Sequence, residues 1–170
     1  MRVIISSGHG KHVRGAKGYL DEAEEARRVV ERVAQLLRAA EVEVNVFHDD
    51  VSKTQSANLK RIVAFHNSQQ RDLDISVHFN AHKKTAVPMG TEVLYVLQQA
   101  LAAKVSKAIA DAGRFINRGA KKRTNLAFLN RTKKPAILIE ICFVDSQADA
   151  NAYRKHFDEI CRAIAAAIAA

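Results

Sequence analysis

Short apolar runs alternate along the chain with longer segments in which apolar residues recur every three or four positions. The short runs predict strands over Arg2–Ser6, Glu43–Phe47, Leu73–Phe79, Thr91–Val96 and Ile137–Phe143. The longer segments predict helices over Glu22–Ala40, Ser52–Asn67, Gln98–Ala112 and Ala148–Ile168. This alternation predicts an α/β fold: a three-layer α/β/α domain whose mostly parallel central sheet is flanked by helices.

The chain of 170 residues is predicted to form a single domain over residues 1–170. It contains no internal repeat and no low-complexity run that would indicate a linker. No apolar stretch is long enough to span a membrane. The first residues, MRVIISSGHG, lack the long apolar region of a signal peptide, so we expect the chain to be made in the cytoplasm without a secretion signal of its own.

The formal net charge is +9, and much of the cationic excess falls between residues 114 and 134. Such an excess favours polyanionic partners, which include nucleic acids, anionic lipids and acidic cell-wall polymers. The chain has no zinc-finger spacing and no aromatic-rich basic strand of the kind that reads nucleic acids. A basic nucleic-acid-binding module is therefore kept as the non-enzymatic alternative, and nucleic acid is not the expected partner.

The loop SGHGKHVRGAKG follows the first predicted strand and presents His9 ahead of a helix led by carboxylates. It matches neither the GxGxxG nor the GxxxxGK[ST] pattern, so a phosphate-binding loop is disfavoured. Two other interpretations stay open for the loop alone: a structural turn in which the imidazole caps the strand, or half of a metal site. The second half must then come from elsewhere in the chain.

The stretch DISVHFNAH offers that second half, because His78 ends an apolar strand at the edge where parallel sheets place their sites. Catalytic zinc takes imidazole nitrogens and carboxylate oxygens from three protein ligands. His9, a carboxylate of the Glu22 helix and His78 provide this set. His82 is a rival ligand, although its HxxxH spacing from His78 suits a helix better than a strand, and Asn80 shares the His78 face of the strand.

A single carboxylate, Glu140, interrupts the apolar segment PAILIEICFVD. An unpaired buried carboxylate is costly, so it is paired with a cation, bound to a metal or protonated. One interpretation is a salt bridge to an arginine. The other is a general acid or base beside a metal, because apolar surroundings raise the proton affinity of a carboxylate.

Taken together, these segments resemble the Amidase_3 family of zinc-dependent N-acetylmuramoyl-L-alanine amidases, which includes bacteriophage endolysin catalytic domains and bacterial cell-wall amidases. The resemblance rests on blocks in the family order, namely SGHG at 7–10, GAKG at 15–18, Glu22, SVHFNA at 76–81 and PAILIEICFVDS at 135–146. The family pattern implies one Zn²⁺ bound by His9, Glu22 and His78, with Glu140 as the catalytic carboxylate.

Glu24 and Glu25 compete with Glu22 for the ligand position. In the family the ligand precedes a helix whose apolar positions recur about four, seven or eight, and eleven residues later. Counting from Glu22 reaches alanine and valines, whereas counting from Glu24 reaches Arg28 and Gln35, so Glu22 is the favoured ligand.

The resemblance implies cleavage of the amide bond between N-acetylmuramic acid and L-alanine of the peptidoglycan stem peptide. The implied partner is bacterial peptidoglycan, and the basic surface could add attraction to anionic wall polymers. A related zinc peptidase that cuts the stem peptide is the enzymatic alternative. We expect a monomer without a separate cell-wall-binding domain, acting as a phage endolysin that reaches the wall through a holin or by lysis.

Overall fold

A computed structural model describes residues 1–170 as six strands and six helices. The strands are β1 (Arg2–Ser7), β2 (Glu43–Phe47), β3 (Leu73–Asn80), β4 (Thr91–Tyr95), β5 (Asn117–Lys122) and β6 (Ala136–Phe143). The helices are α1 (Glu22–Ala39), α2 (Gln55–Ser68), α3 (Gln99–Gly113), α4 (Ala127–Arg131), α5 (Gln147–Lys155) and α6 (Phe157–Ala169). No helix combines the length and the apolar character that crossing a membrane requires.

The strands form one sheet in the order β2-β1-β3-β6-β4-β5. Strands β2, β1, β3 and β6 are mutually parallel, β4 runs antiparallel to β6, and β5 is parallel to β4. The predicted α/β fold with a mostly parallel sheet is therefore confirmed. The reversal at β4 places its amino end beside the carboxyl ends of β3 and β6, which is the edge where the site lies.

Helices cover both faces of the sheet, to different extents. On one face α1, α3 and α6 bury the larger hydrophobic cluster, which includes Ile75, Val77 and Ile139. On the other face α2 and the short helix α4 cover a small cluster that includes Ile62 and Leu138. The second face is thus the less covered one, and it carries the polar groups described below.

Two elements escaped prediction, and one predicted helix is divided. Strand β5 (NRGAKK) is an edge strand of exposed or half-buried residues, so it lacks the apolar alternation that marks a strand. Helix α4 has only five residues, too few to show a helical period. The predicted helix Ala148–Ile168 is two helices that part at His156, where φ is −113° and ψ is 23°, although the apolar period continues through the break.

A buried polar network joins β1, α2 and β3 beneath the less covered face. The imidazole of His66 lies 2.8 Å from Asp74 through Nδ1 and 3.0 Å from the Ser6 hydroxyl through Nε2. Arg71 donates two further hydrogen bonds to Asp74. Burial lowers the pKa of His66. The fully buried network therefore holds a neutral imidazole and has no opening to a substrate.

This network predicts that the protein loses stability in mild acid. Burial also lowers the pKa of the half-buried His48. Below the ordinary histidine pKa of 6.5, the unfolded chain takes up protons that these two folded imidazoles do not, so their contribution to the free energy of unfolding should fall as pH drops and be fully retained above 6.5. Each such proton contributes a slope of at most about 1.4 kcal/mol per pH unit.

Urea denaturation between about pH 8 and about pH 5 measures this slope. The variant His48→Gln removes one titrating group at a partly exposed position and should make the free energy of unfolding depend less steeply on pH. A pH dependence of the free energy of unfolding that is the same in His48→Gln and wild type would contradict the expectation for His48.

Candidate metal centre

Three side chains from distant parts of the sequence converge at the carboxyl edge of the sheet: His9, Glu22 and His78. Their nearest ligand atoms all lie within 4.8 Å of one another. Glu22 Oε1 is 3.4 Å from His9 Nε2 and 3.2 Å from His78 Nδ1. The two imidazoles are about one-sixth exposed, with side-chain exposures of 17% and 15%, whereas Glu22 is buried. The cluster is thus open to solvent on its histidine side and closed behind the carboxylate.

Local structure fixes the carboxylate between the two histidines. Glu22 is the first residue of α1, and the preceding Asp21 caps the helix by accepting a hydrogen bond from the Glu24 amide. The two oxygens of Glu22 accept hydrogen bonds from the backbone amides of Ala16 at 2.8 Å and Phe79 at 3.1 Å. The opening loop and β3 therefore hold one carboxylate in place.

Two glycines make room for these side chains. A Cβ on Gly8 would lie 1.8 Å from His78 Nε2, so only glycine lets that imidazole pack against the end of β1. Gly15 has φ of +72°, and a Cβ there would lie 2.4 Å from Glu22 Oε2. The first glycine of each of the GHG and GAKG blocks is thus explained by the close approach of backbone and ligand side chains.

The charge on Glu22 is favoured by its surroundings. Burial alone would raise the pKa of this carboxyl, but hydrogen bonding and the proximity of His78 and His9 outweigh burial and hold the pKa well below its usual range. The neighbouring glutamates lie elsewhere. Glu24 is exposed, and Glu25 accepts a hydrogen bond from the Tyr153 hydroxyl at 2.8 Å.

The donor set fits a zinc ion. Two imidazole nitrogens and one carboxylate oxygen are the ligands of a common class of catalytic zinc site. Ligand atoms that share a tetrahedral zinc at ordinary bond lengths lie roughly 3.3–3.5 Å apart. The separations of 3.4 and 3.2 Å between Glu22 and the two histidines agree closely with that spacing. Since all three ligand atoms lie within 4.8 Å of one another, His9, Glu22 and His78 could together hold zinc.

Glu140 lies beside this cluster on the neighbouring strand, in register with His78. Its Oε2 is buried without any hydrogen-bond partner, and it makes no salt bridge to an arginine. Burial raises the pKa of Glu140 well above its usual range, and the carboxylates of Glu22 and Glu92 raise it further. An unpartnered carboxyl with high proton affinity is suited to accept and release a proton.

A second acid, Glu92, was not anticipated from the sequence. It stands directly across from Glu140 on β4 and is 6% exposed. Its Oε1 accepts a hydrogen bond from Asn80 Nδ2 at 3.1 Å, and its Oε2 pairs with Arg118 Nε at 2.9 Å. The signal that could have revealed it is a lone acid inside the apolar run TEVLY, the same signal that singled out Glu140.

The remaining histidines of the two motifs lie outside the donor cluster. His12 and His82 are both exposed, and neither belongs to the group of converging ligand atoms. The backbone amide of His82 donates to Asp145 at 2.8 Å, which holds the loop after β3 against the loop after β6. The rival HxxxH pairing of His78 with His82 is therefore not formed.

The profile of the Amidase_3 family, described as N-acetylmuramoyl-L-alanine amidase, matches residues 3–170 of this chain. A 38.4 kDa protein of Clostridium perfringens, of uncharacterised function, is 32% identical over 164 residues that cover 91% of this chain and 46% of that protein. A second protein of the same species, CPE1502, is 28% identical and is covered to 51% of its length. The chain spans about half the length of these relatives.

Solved structures share the fold over almost the whole chain. The catalytic domain of the CD27L endolysin, which targets Clostridium difficile, superposes with a TM-score of 0.89 at 28% identity, covering 99% of this chain and 96% of that one. The N-acetylmuramoyl-L-alanine amidase AmiC2 of Nostoc punctiforme superposes with a TM-score of 0.82 at 25% identity, covering 99% and 94%.

Proposed function

Because the chain belongs to the Amidase_3 family of N-acetylmuramoyl-L-alanine amidases, we propose that it hydrolyses the amide bond between N-acetylmuramic acid and L-alanine in peptidoglycan. The observation that carries this proposal is the convergence of His9, Glu22 and His78 beside the unpartnered carboxyl of Glu140. This combination supplies a zinc-ligand set and a proton-transfer group within one open site.

His9, Glu22 and His78 are the proposed ligands of a single zinc ion. When bound, zinc supplies Lewis-acid activation of water and of the scissile carbonyl. The backbone donors of Ala16 and Phe79 orient the Glu22 carboxylate, which fixes the site before substrate arrives. The partly exposed imidazoles leave the opposite side of the site accessible to a polymeric substrate.

Glu140 is the proposed general base and acid. It takes a proton from the attacking water at Oε2 and transfers a proton to the nitrogen of the departing alanine, so that the C–N bond breaks and a carboxylic acid and a free amine are released. Its raised pKa favours this proton uptake. Glu92, on the adjacent strand, has both carboxylate oxygens engaged, by Asn80 and by Arg118.

The biological role we propose is that of a phage endolysin catalytic domain. The support is the 28% identity and near-complete coverage with the CD27L endolysin catalytic domain. We further propose that the protein acts as a single domain and as a monomer. Its net charge of +9 would attract anionic wall polymers.

Wall digestion tests the reaction, the bond and the metal together. Purified peptidoglycan treated with the protein should yield intact stem peptides with free L-alanine amino termini, identified by mass spectrometry. Elemental analysis should find about one zinc per chain, and a chelator should abolish product release until zinc is restored. Shortened stem peptides would instead favour the zinc peptidase alternative, and undiminished activity in chelator would contradict the zinc mechanism.

A further inference from the structure

A cavity of about 370 Å³ lies on the β4 and β5 side of the site, lined by Glu92, which stands opposite Glu140, and it has no place in the proposed chemistry of the metal centre. Its walls include Asn80, His82, Glu92, Arg118, Arg123 and Phe143. We propose that this cavity, hereafter the β5 cavity, binds a free carboxylate of the departing stem peptide, with Arg123 as the recognising residue. This inference rests on the proposed amidase function and deepens it.

The charges around the β5 cavity leave one cation free. Glu92 is the only acid in its wall, and both of its oxygens are engaged, by Asn80 and by Arg118. Arg118 is held further by Phe143, whose ring centroid lies 5.0 Å from the guanidinium carbon. Arg123 is exposed and makes no salt bridge or side-chain hydrogen bond, so its guanidinium remains available to an anion.

The position of the cavity relative to Glu140 indicates that its ligand is the peptide part of the substrate rather than the glycan. Glu140 delivers its proton to the leaving amine, so the peptide departs on the Glu140 side of the metal. Arg123 follows the end of β5, but its side chain lines the same cavity as Asn80 and Glu92, and Glu92 stands opposite Glu140. An extended peptide advances roughly 3.5 Å per residue, so the second residue lies about 7 Å from the cleaved bond. A carboxylate on that residue can therefore enter the cavity that Arg123 lines.

Two synthetic substrates test the inference directly. N-acetylmuramoyl-L-alanyl-γ-D-glutamyl-L-lysinamide carries a free carboxylate on its second residue, and the isoglutaminyl analogue carries a carboxamide there. The wild-type protein should prefer the carboxylate by about tenfold in kcat/KM, mainly through KM, because hydrogen bonds to a charged group carry this discrimination. Arg123→Gln should bring the ratio close to one. Arg131→Gln, an exposed arginine outside the cavity, should keep the preference.

Calorimetric binding of the product peptides, L-alanyl-γ-D-glutamyl-L-lysinamide and its isoglutaminyl analogue, separates this inference from the proposed function. A binding preference for the carboxylate that Arg123→Gln removes would support the β5 cavity even if neither muramoyl substrate were cleaved, and only the amidase proposal would then fail. The inference is overturned if wild type binds both peptides equally, if Arg123→Gln keeps the preference, or if Arg131→Gln loses it equally.

Discussion

Replacing Glu140 with glutamine is expected to lower kcat for wall hydrolysis roughly 10³-fold while zinc content stays at the wild-type level. The carboxamide has nearly the same shape as the carboxyl but can neither accept nor deliver the proton. His9, Glu22 and His78 are unchanged, so the metal should remain. Initial rates of amino-terminus release, measured together with elemental analysis, check both parts of this prediction.

Stability distinguishes a chemical defect from a folding defect in the same variant. Glu140 Oε2 has no hydrogen-bond partner, so exchanging it for a neutral amide removes an unfavourable buried acid rather than a stabilising contact. The thermal midpoint of Glu140→Gln should therefore match or exceed that of wild type. Glu159→Gln, on the exposed surface of α6, serves as the matched control and should keep full activity. Full wall lysis by Glu140→Gln would rule out the assigned role.

The strands and helices that pack against the core could be predicted from sequence because burial imposes a period on them. Strands β3 and β6 are buried along nearly their whole length and stand out as apolar runs, and the interruption by Glu140 was visible for the same reason. Strand β5 packs only partly and lies at the sheet edge, so its residues carry no such period. The pattern of burial thus decides which elements a sequence reveals.

The residues of the site likewise fall into those that the sequence predicts and those that it does not. The three proposed ligands, His9, Glu22 and His78, lie at the ends of predicted elements, so the topology of a parallel sheet brings them to one edge. The family motifs then identify these residues as the ligands. The cavity wall could not be derived, because it depends on β4 running antiparallel to β6, which sets Glu92 opposite Glu140. Nor could Arg118, in β5, and Arg123, which follows it, be separated from a solvated basic surface while β5 was unrecognised.

Replacing Glu22 with glutamine is expected to weaken zinc binding by more than about 100-fold, the upper end of the cost of losing a partner outside the ligand shell. The neutral amide oxygen is a poorer donor to a cation than a carboxylate oxygen. An amide nitrogen placed at Oε2 would also face the Ala16 amide, which is itself a donor. Zinc titration against a competing chelator measures the affinity without depending on activity.

Glu24→Gln and Glu25→Gln are the matched controls, because all three glutamates lie in the first turn of α1. Glu24 points away from the site, 200° around the helix from Glu22, and its replacement should change nothing. Glu25 bonds to Tyr153 and pairs with Arg28, so Glu25→Gln should lower stability modestly and leave zinc affinity intact. If Glu22→Gln kept zinc and Glu25→Gln lost it, Glu25 would be the ligand. In that case α1 would have to be rotated from its position against β3.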